Sequence, residues 1–544
     1  MGFFMSDKKG ASFLEGALIL STAGILAKVM GFGYRIILPR VLGEYGLGLY
    51  QMAYPIYTIL LVVSRSGIPV SLAKMISDRI ARKEEKSAFQ IFKVGRKLSI
   101  IVGIFFSVLM AILTPFLIDL FSWDSEVLYA ILALAPAIFF VSIMATYRGF
   151  FQGLQDMLPT ACSQVLEQFV RMVTMISLVY LLIPYGAEIA AAGATFGAVT
   201  GSIVGLLLLF FIYYKRRESI WDFSRRGSAA NFNFKGILKE MVSLGLPVTF
   251  GALVLPLMNF VDAAIVPARL SLAGFINPVE LFSRLSGMAM VLVNFPAIIT
   301  ISLAASLVPA ISEAFAQNNE KLITKRTETA LRFTVLIGLP ASVGLFILAE
   351  PLTSVIFNSP QAAVPLRIVC WGVIFITLQQ TTAAILQGLG ETIIPARNLF
   401  FGAVINAVIN YTLTSMPAFG IQGAALGTVV GFALAAFLNL YYVKQYSNFK
   451  INAQLLIFKP VFSVLGMSLV VWGGHKILHN VLSGFMGRLS YGVSTFLIVP
   501  VGALIYFIFL LLLKVVGYND LKIIPKIGPS VAEFLKKMNL VGEL

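Results

Sequence analysis

One stretch near the N-terminus combines two glycines and two cations at helical spacing. Gly24, Lys28, Gly31 and Arg35 are separated by four, three and four residues, so they share one face of an α-helix. Such a face can receive an anionic group, because the glycines allow a close approach and the cations neutralise its charge. The alternative is a helix-packing face from which Arg35 extends toward water.

Three further ionisable residues interrupt apolar segments. Arg65 is flanked by small polar residues, which favours a hydrated surface around it. Asp262 follows Asn259 by three residues, so the two lie one helical turn apart. Asp262 either neutralises Arg284, which lies early in the next apolar segment, or holds a cation that is coupled to transport. Structural pairing and function both stay open for Asp262.

A secondary polar face is predicted around Glu167 and Arg171. The two residues are spaced i and i+4, with the acid on the N-terminal side, which is the favourable order for an ion pair on a helix. Gln164 and Gln168 extend the same face. The spacing therefore predicts a structural ion pair between Glu167 and Arg171.

The elements that position these residues must cross a lipid bilayer. Of the 544 residues, 58% are hydrophobic and only 12% are charged, whereas soluble domains carry about 25% charged residues. Lipid requires every backbone polar group to be bonded internally, and the apolar runs are about 20 residues long, which selects helices over a β-barrel. The composition predicts an all-α integral membrane protein.

Apolar windows predict about fourteen transmembrane helices. They lie at 14–38, 46–73, 98–121, 128–151, 160–183, 187–214, 240–267, 279–306, 333–357, 364–388, 396–416, 419–443, 455–478 and 489–516.

The basic residues indicate the sidedness of these spans. With both termini in the cytoplasm, 31 of the 41 lysines and arginines fall on the inner side, Arg148 among them, and five fall in outer loops. This asymmetry is typical of cytoplasmic loops. The net charge of +16 therefore reflects topology, and we predict no nucleic-acid partner. The predicted location is the cytoplasmic membrane, with both termini inside.

An internal repeat divides the chain. The segment 193–201 matches 423–431 in five of nine residues, and Gln152-Gly153-Leu154 matches Gln387-Gly388-Leu389, at an offset of about 230. Chance matches of small residues in membrane helices are the alternative. The repeat predicts two six-helix lobes related by a pseudo-two-fold axis along the membrane normal.

The predicted domains are an N-lobe (1–214), a cytoplasmic basic linker (215–239), a C-lobe (240–443), two further helices (444–516) and a cytoplasmic basic tail (517–544).

Charges within spans are costly. An Arg, Lys or Asp at the bilayer centre costs about 2.5–3.5 kcal/mol on insertion scales. Such residues must therefore face a hydrated chamber, pair with one another or reach an interface. Two duplicated lobes around one chamber suit alternating access.

Motifs for catalysis are not found in the sequence. There is no GxxxxGK[ST] loop, no HExxH and no GxSxG, and His475 with His479 lacks a third metal ligand. We predict a transporter and not an enzyme, with no cofactor and no metal site. The energy would come from the membrane potential, an Na⁺ or H⁺ gradient, downhill flux or a partner. A membrane scaffold and a lipid-modifying enzyme are the rival classes.

Several segments resemble a known superfamily. The chain is similar to the multidrug/oligosaccharidyl-lipid/polysaccharide (MOP) flippases, on the branch with stage V sporulation protein B relatives and the MurJ lipid II flippases. The resemblance covers the first 12 spans and is carried by Phe13–Leu20, Gly31-Phe32, Arg40–Tyr50, Gly67–Lys74, Leu285–Ala289, Phe295-Pro296 and Ser306–Ala314.

This resemblance implies a function and a site. It implies two lobes in a V shape around a cationic cavity, with the last two helices forming a groove for an undecaprenyl tail. The expected substrate is an undecaprenyl-pyrophosphate-linked cell-wall precursor, lipid II above all. The protein is expected to be a monomer that contacts this substrate and membrane lipids. The alternatives are a flippase for another lipid-linked polysaccharide repeat unit and a cation-coupled drug exporter. Lys28, Arg35, Arg65 and Arg284 would bind the substrate, while Asp262 and Asn259 would balance charge or hold a cation.

Overall fold

The computed structural model describes residues 9–65, 67–218, 233–449, 452–486, 489–517 and 533. Their contacts divide the chain into two compact units, Met1–Ser283 and Arg284–Leu544. The long regular elements of both units are helices, as the sequence predicts.

The described residues of the first unit form nine α-helices. They are α1 (Lys9–Arg65), α2 (Gly67–Ala81), α3 (Glu85–Phe121), α4 (Val127–Leu134), α5 (Pro136–Gly153), α6 (Leu158–Leu182), α7 (Ala187–Lys215), α8 (Phe234–Leu272) and α9 (Pro278–Ser283). A short 3-10 turn, Ile183–Tyr185, follows α6.

The second unit begins with a π-helical turn at Arg284–Ala289. Its α-helices are α10 (Met290–Ala316), α11 (Glu320–Ile347), α12 (Ala349–Phe357), α13 (Ala363–Val369), α14 (Gly372–Gly388), α15 (Ile393–Leu413), α16 (Ile421–Ser447), α17 (Lys459–Met486) and α18 (Leu489–Leu512). A 3-10 turn at Pro360–Ala362 precedes α13, and a π-helical turn at Gln454–Phe458 precedes α17.

Twelve helical segments of the described chain are long and apolar enough to cross a membrane, or thirteen when the bent pair α13–α14 is counted as one span. The first segment, Leu18–Ala81, has 64 residues. At 1.5 Å per residue it would be about 96 Å long, three times the hydrocarbon thickness of about 30 Å. It is broken at Gly43, where φ is 71° and ψ is 178°. The predicted spans 14–38 and 46–73 lie on either side of this break.

The predicted all-α membrane fold is therefore confirmed, and the lobe boundaries stay a prediction. Helix α8, the seventh predicted span, belongs by its contacts to the first unit. A Cβ on Gly67 of α2 would lie 2.5 Å from the Cα of Gly245, so α2 and α8 cross where neither helix has a side chain. Residues 219–232 of the predicted linker, and the predicted tail apart from residues 517 and 533, lie outside the described residues.

The internal repeat is present in the backbone of the two units. Ser99 Oγ lies 2.5 Å from Thr146 Oγ1, and Thr334 Oγ1 lies 2.7 Å from Thr381 Oγ1, with each residue 235 positions after its counterpart. Left-handed backbone residues recur at the same offset, with Lys83 matched by Asn318 and Gln155 by Gly390.

The glycines of the repeated QGL motif also share an environment. A Cβ on Gly153 would lie 2.8 Å from the Cβ of Ile76, and one on Gly388 would lie 2.7 Å from the Cβ of Ile311. Since chance similarity does not reproduce contacts between helices, the two halves are structural repeats.

Candidate functional site

Helix α7 packs closely against one side of α6 through a row of glycines. A Cβ on Gly201 would lie 2.6 Å from the carbonyl oxygen of Glu167, and one on Gly197 would lie 2.9 Å from that of Arg171. Only glycine permits this approach without displacing the backbone. The polar side chains of α6 instead reach α5 and α1.

The carboxylate of Glu167 is bound by an arginine from α5. Nη2 of Arg148 donates to Oε2 of Glu167 at 2.8 Å, and Nε of Arg148 donates to Oγ of Ser163 at 2.9 Å. Arg148 is 8% exposed. The structure places Arg148 inside the unit, in a hydrogen-bonded ion pair, and its assignment to the cytoplasmic side stays a prediction.

The guanidinium of Arg171 contacts Tyr54 of α1 in two ways. Nη2 of Arg171 donates to the Tyr54 hydroxyl, and the guanidinium carbon lies 5.4 Å from the centre of the same ring. Arg171 is 8% exposed, and its Nε is buried without a hydrogen-bond partner among the described residues. Arg171 therefore keeps donor capacity that the described side chains do not use.

The predicted ion pair between Glu167 and Arg171 is wrong, because each takes a partner from another helix. Pairs spaced i and i+4 contribute only about 0.2–0.5 kcal/mol on a helix surface. Arg148 offers Glu167 a buried, charge-assisted hydrogen bond, which is stronger.

A row of tyrosines on α1 completes this environment. Tyr50, Tyr54 and Tyr57 follow one another at ring-centre distances of 5.3 and 5.5 Å. Sequence reasoning missed them, although their spacing of four and three is the same signal that identified the glycine and lysine face of α1. Arg171 and Arg35 both interact electrostatically with Tyr50, Tyr54 and Tyr34.

The structure brings several predicted site residues to this region of the first unit. A Cβ on Gly31 would lie 3.3 Å from Nε2 of Gln168, so the predicted face of α1 lies beside the polar face of α6. Lys28 and Arg35 of that face are exposed, and Arg65 is half-buried. Arg65 lies close enough to Arg148 for the two positive charges to repel each other.

The other predicted residues are distributed over both units. Asn259 is exposed and Asp262 is half-buried, both on α8 of the first unit. Arg284 is half-buried at the start of the second unit. Pairing between Asp262 and Arg284 stays a prediction. Among the described residues, no group of three or more His, Cys, Asp or Glu could hold a metal ion.

The fold of this chain is shared with membrane transporters of known structure. The structure matches an inward-facing multidrug MATE transporter of the MOP superfamily, with a TM-score of 0.66 and 19% identity over 78% of this chain and 94% of the other. It also matches the lipid II flippase MurJ in an inward closed conformation, with a TM-score of 0.67 and 17% identity over 90% of this chain and 98% of the other. At these identities the similarity shows the fold.

Sequence comparison supplies the family. The family model described as polysaccharide biosynthesis protein matches residues 13–315, and the MatE model matches residues 285–412. Stage V sporulation protein B of Bacillus subtilis (strain 168) is 30% identical over 523 residues, 95% of this chain and 98% of that protein. Lipid II flippase MurJ of the same organism is 26% identical over 518 residues, 91% of this chain and 94% of that protein. The chain belongs to the polysaccharide biosynthesis protein family of the MOP flippases, as predicted.

Proposed function

We propose that this protein translocates an undecaprenyl-pyrophosphate-linked cell-wall precursor, lipid II above all, across the cytoplasmic membrane by alternating access. Its relatives include a protein named as a lipid II flippase, which aligns over 91% of this chain. The family acts on lipid-linked substrates within the membrane, and the substrate class proposed here is one member of that group.

The observation that carries the proposal is the excess of positive charge in the spans of the first unit. Among the ion pairs found in the described part of the chain, none involves Lys28, Arg35 or Arg65. Each such cation would cost about 2.5–3.5 kcal/mol at mid-bilayer. A pyrophosphate brings the matching negative charge, and arginine suits it because the guanidinium can bind phosphate oxygens with two hydrogen bonds.

The remaining assignments belong to the same proposal. Arg284 would supply a further substrate contact, and Asp262 with Asn259 would balance charge or sense a cation. Transport would use the membrane potential or an Na⁺ or H⁺ gradient and require no cofactor. The protein would act as a monomer with both termini in the cytoplasm.

Flipping by purified protein in liposomes tests the proposal. The substrate is lipid II with a fluorescent head group, and its transfer is read by protection from an added quencher. We expect Lys28→Gln and Arg65→Gln each to reduce the rate at least about tenfold, since each loses a charged contact of about 1.5–3 kcal/mol. The exposed cations Lys86 and Arg82 provide the matched controls Lys86→Gln and Arg82→Gln. Flipping at the wild-type rate by both Lys28→Gln and Arg65→Gln would contradict the proposed function.

A second candidate is export of cationic or amphipathic drugs, which the match of residues 285–412 to the MatE model favours. Competition separates the candidates. Excess unlabelled lipid II, undecaprenyl-linked glycans of other composition, or a cationic dye is added to the flipping assay. Inhibition by another lipid-linked glycan alone would move the assignment to that glycan. Inhibition by the dye alone would favour drug export.

A further inference from the structure

Among the described residues, the buried guanidinium of Arg171 forms no ion pair with an acidic side chain. Its i−4 neighbour Glu167 is bound by Arg148, and among the ion pairs of the described residues none includes Arg171. With 8% of its surface exposed and its Nε without a hydrogen-bond partner among the described residues, Arg171 is a charge taken out of water that no described carboxylate neutralises. Such a charge is destabilising in the empty protein.

Tyrosines hold this guanidinium in place without neutralising it. Tyr54 accepts a hydrogen bond from Nη2 and places its ring 5.4 Å from the guanidinium carbon. Tyr50 and Tyr57, packed on either side of Tyr54, are each 3% exposed. A guanidinium whose conformation is fixed by aromatic packing loses little entropy when it binds a ligand.

Other cations lie next to this position. Arg35 interacts electrostatically with the same tyrosines as Arg171, and the face of α1 that carries Lys28 meets α6 at Gly31. The region therefore concentrates positive charge beside the unbonded Nε–H of Arg171. An anion with several oxygen acceptors separated by a few ångströms would satisfy both the charge and this donor.

We propose that Arg171, positioned by Tyr54, is a binding residue for a pyrophosphate-class anion in the first unit. This assignment adds a binding residue to the proposed function. It rests on the proposed function only for the claim that the anion is the pyrophosphate of the lipid-linked precursor. Tyr54 is a positioning residue, because it acts by orienting the guanidinium. Arg148 has the opposite role, since it occupies Glu167 and so keeps a carboxylate away from Arg171.

The matched control for this pair is on the surface of the same unit. Arg217 donates to the Tyr214 hydroxyl at 2.9 Å and lies 4.7 Å from the centre of that ring. Both residues of this second pair are exposed. The variants Arg217→Gln and Tyr214→Phe therefore remove the same contacts from an arginine and a tyrosine that are exposed rather than buried.

The test measures binding and stability of the full-length protein in detergent or nanodiscs. The first arm titrates inorganic pyrophosphate, with sulfate as the comparison anion. The second arm titrates undecaprenyl pyrophosphate in nanodiscs. We expect Arg171→Gln to weaken pyrophosphate binding about tenfold or more, Arg171→Lys and Tyr54→Phe to weaken it about threefold to tenfold, and both control variants to bind as the wild type does.

A stability measurement separates a binding residue from a structural one. We expect the ligand-free Arg171→Gln protein to unfold at the same temperature as the wild type or higher, while its stabilisation by pyrophosphate is lost. If Arg171→Gln does not fold, Arg171→Lys carries the test because it retains the charge. Failure of both variants to fold, or wild-type pyrophosphate affinity in a folded variant, would overturn the proposal.

The two arms also separate this inference from the proposed function. Binding of inorganic pyrophosphate that depends on Arg171, without flipping of any lipid-linked precursor, would support the anion site and refute the flippase assignment. Normal lipid II flipping by Arg171→Gln would refute the role of Arg171 and leave the flippase assignment intact. Binding of free pyrophosphate but not the lipid form would identify a soluble anion as the ligand.

Discussion

Each unit contains a corresponding pair of packed helices, α6 with α7 in the first unit and α15 with α16 in the second. The two pairs differ in the charge of their side chains. In the first unit, α6 carries Glu167 and Arg171. The positions 235 residues later, on α15, carry Gly402 and Asn406. The second unit thus has no charge at either of these two positions.

The backbone contact is nevertheless the same in both units. A Cβ on Gly201 would lie 2.6 Å from the carbonyl oxygen of Glu167, and a Cβ on Gly431 would lie 2.7 Å from that of Gly402. In the second unit the neighbouring buried polar contact is neutral, with Nδ2 of Asn398 donating to Oδ1 of Asn439 at 2.9 Å. Because the helix pair forms without charges there, the charges of the first unit are not what holds the pair together.

The largest effect is expected from breaking the charged pair of the first unit. Glu167→Gln leaves Arg148 buried without a counter-charge and should lower the free energy of unfolding by about 3–5 kcal/mol. Asp156→Asn is the control, because the Arg216–Asp156 pair has side chains 35% and 27% exposed and should contribute less than about 1 kcal/mol. Unfolding in mixed micelles measures both. Equal losses in the two variants would show that burial does not set the strength of the Arg148–Glu167 pair.

A smaller loss is expected at the helix contact that the units share. Gly201→Ala and Gly431→Ala should each cost about 1–3 kcal/mol, because the new Cβ meets backbone that cannot rotate away. Gly251→Ala is the control, since nothing lies within 4 Å of its Cβ position, and it should be neutral or slightly stabilising. If only the first-unit variant lost stability in the same unfolding assay, the two contacts would not be equivalent.

Removing one amide of the neutral pair in the second unit should lower the free energy of unfolding, whereas removing both amides should lower it much less. Asn398→Leu leaves a buried amide of Asn439 unpaired and should cost about 1–3 kcal/mol. The double variant Asn398→Leu with Asn439→Leu should recover most of this loss, because no unpaired polar group remains. A double-mutant cycle measures the coupling. Additive losses would mean that the two amides do not depend on each other.

The smallest effect is expected at the paired hydroxyls that recur in both units. Ser99→Ala and Thr334→Val each remove one hydrogen bond between helices, and such bonds average about 0.6 kcal/mol in membrane proteins. We expect equal, small changes in unfolding temperature. A loss several times larger in one unit would indicate that its hydroxyl pair belongs to a wider network.

Much of the architecture could be read from residue patterns. Long apolar runs predict membrane helices because lipid leaves the backbone no other way to bond its polar groups. The QGL motifs and the GAxxGxxxG segments predicted the repeat, since both place glycine where helices touch. The sequence did not predict the non-helical conformation of Gly43, because a single glycine in an apolar run is compatible with either a helix or a turn.

The site was less predictable than the fold. Lys28, Arg35 and Arg65 were found because a charge in an apolar segment is conspicuous, but their roles stay predictions. Tyr54 was missed because an aromatic residue at helical spacing is usually part of the core.

By itself, the sequence determined the all-helical membrane class, the duplication and the family, because these depend on composition, period and repetition along the chain. The tertiary structure alone decided which charges meet. Arg148 reaches Glu167 across 19 residues, and Tyr54 reaches Arg171 across 117. Local spacing favoured a different pair, but a contact between neighbouring turns is weak, whereas a hydrogen bond to a buried charge from a packed helix is strong.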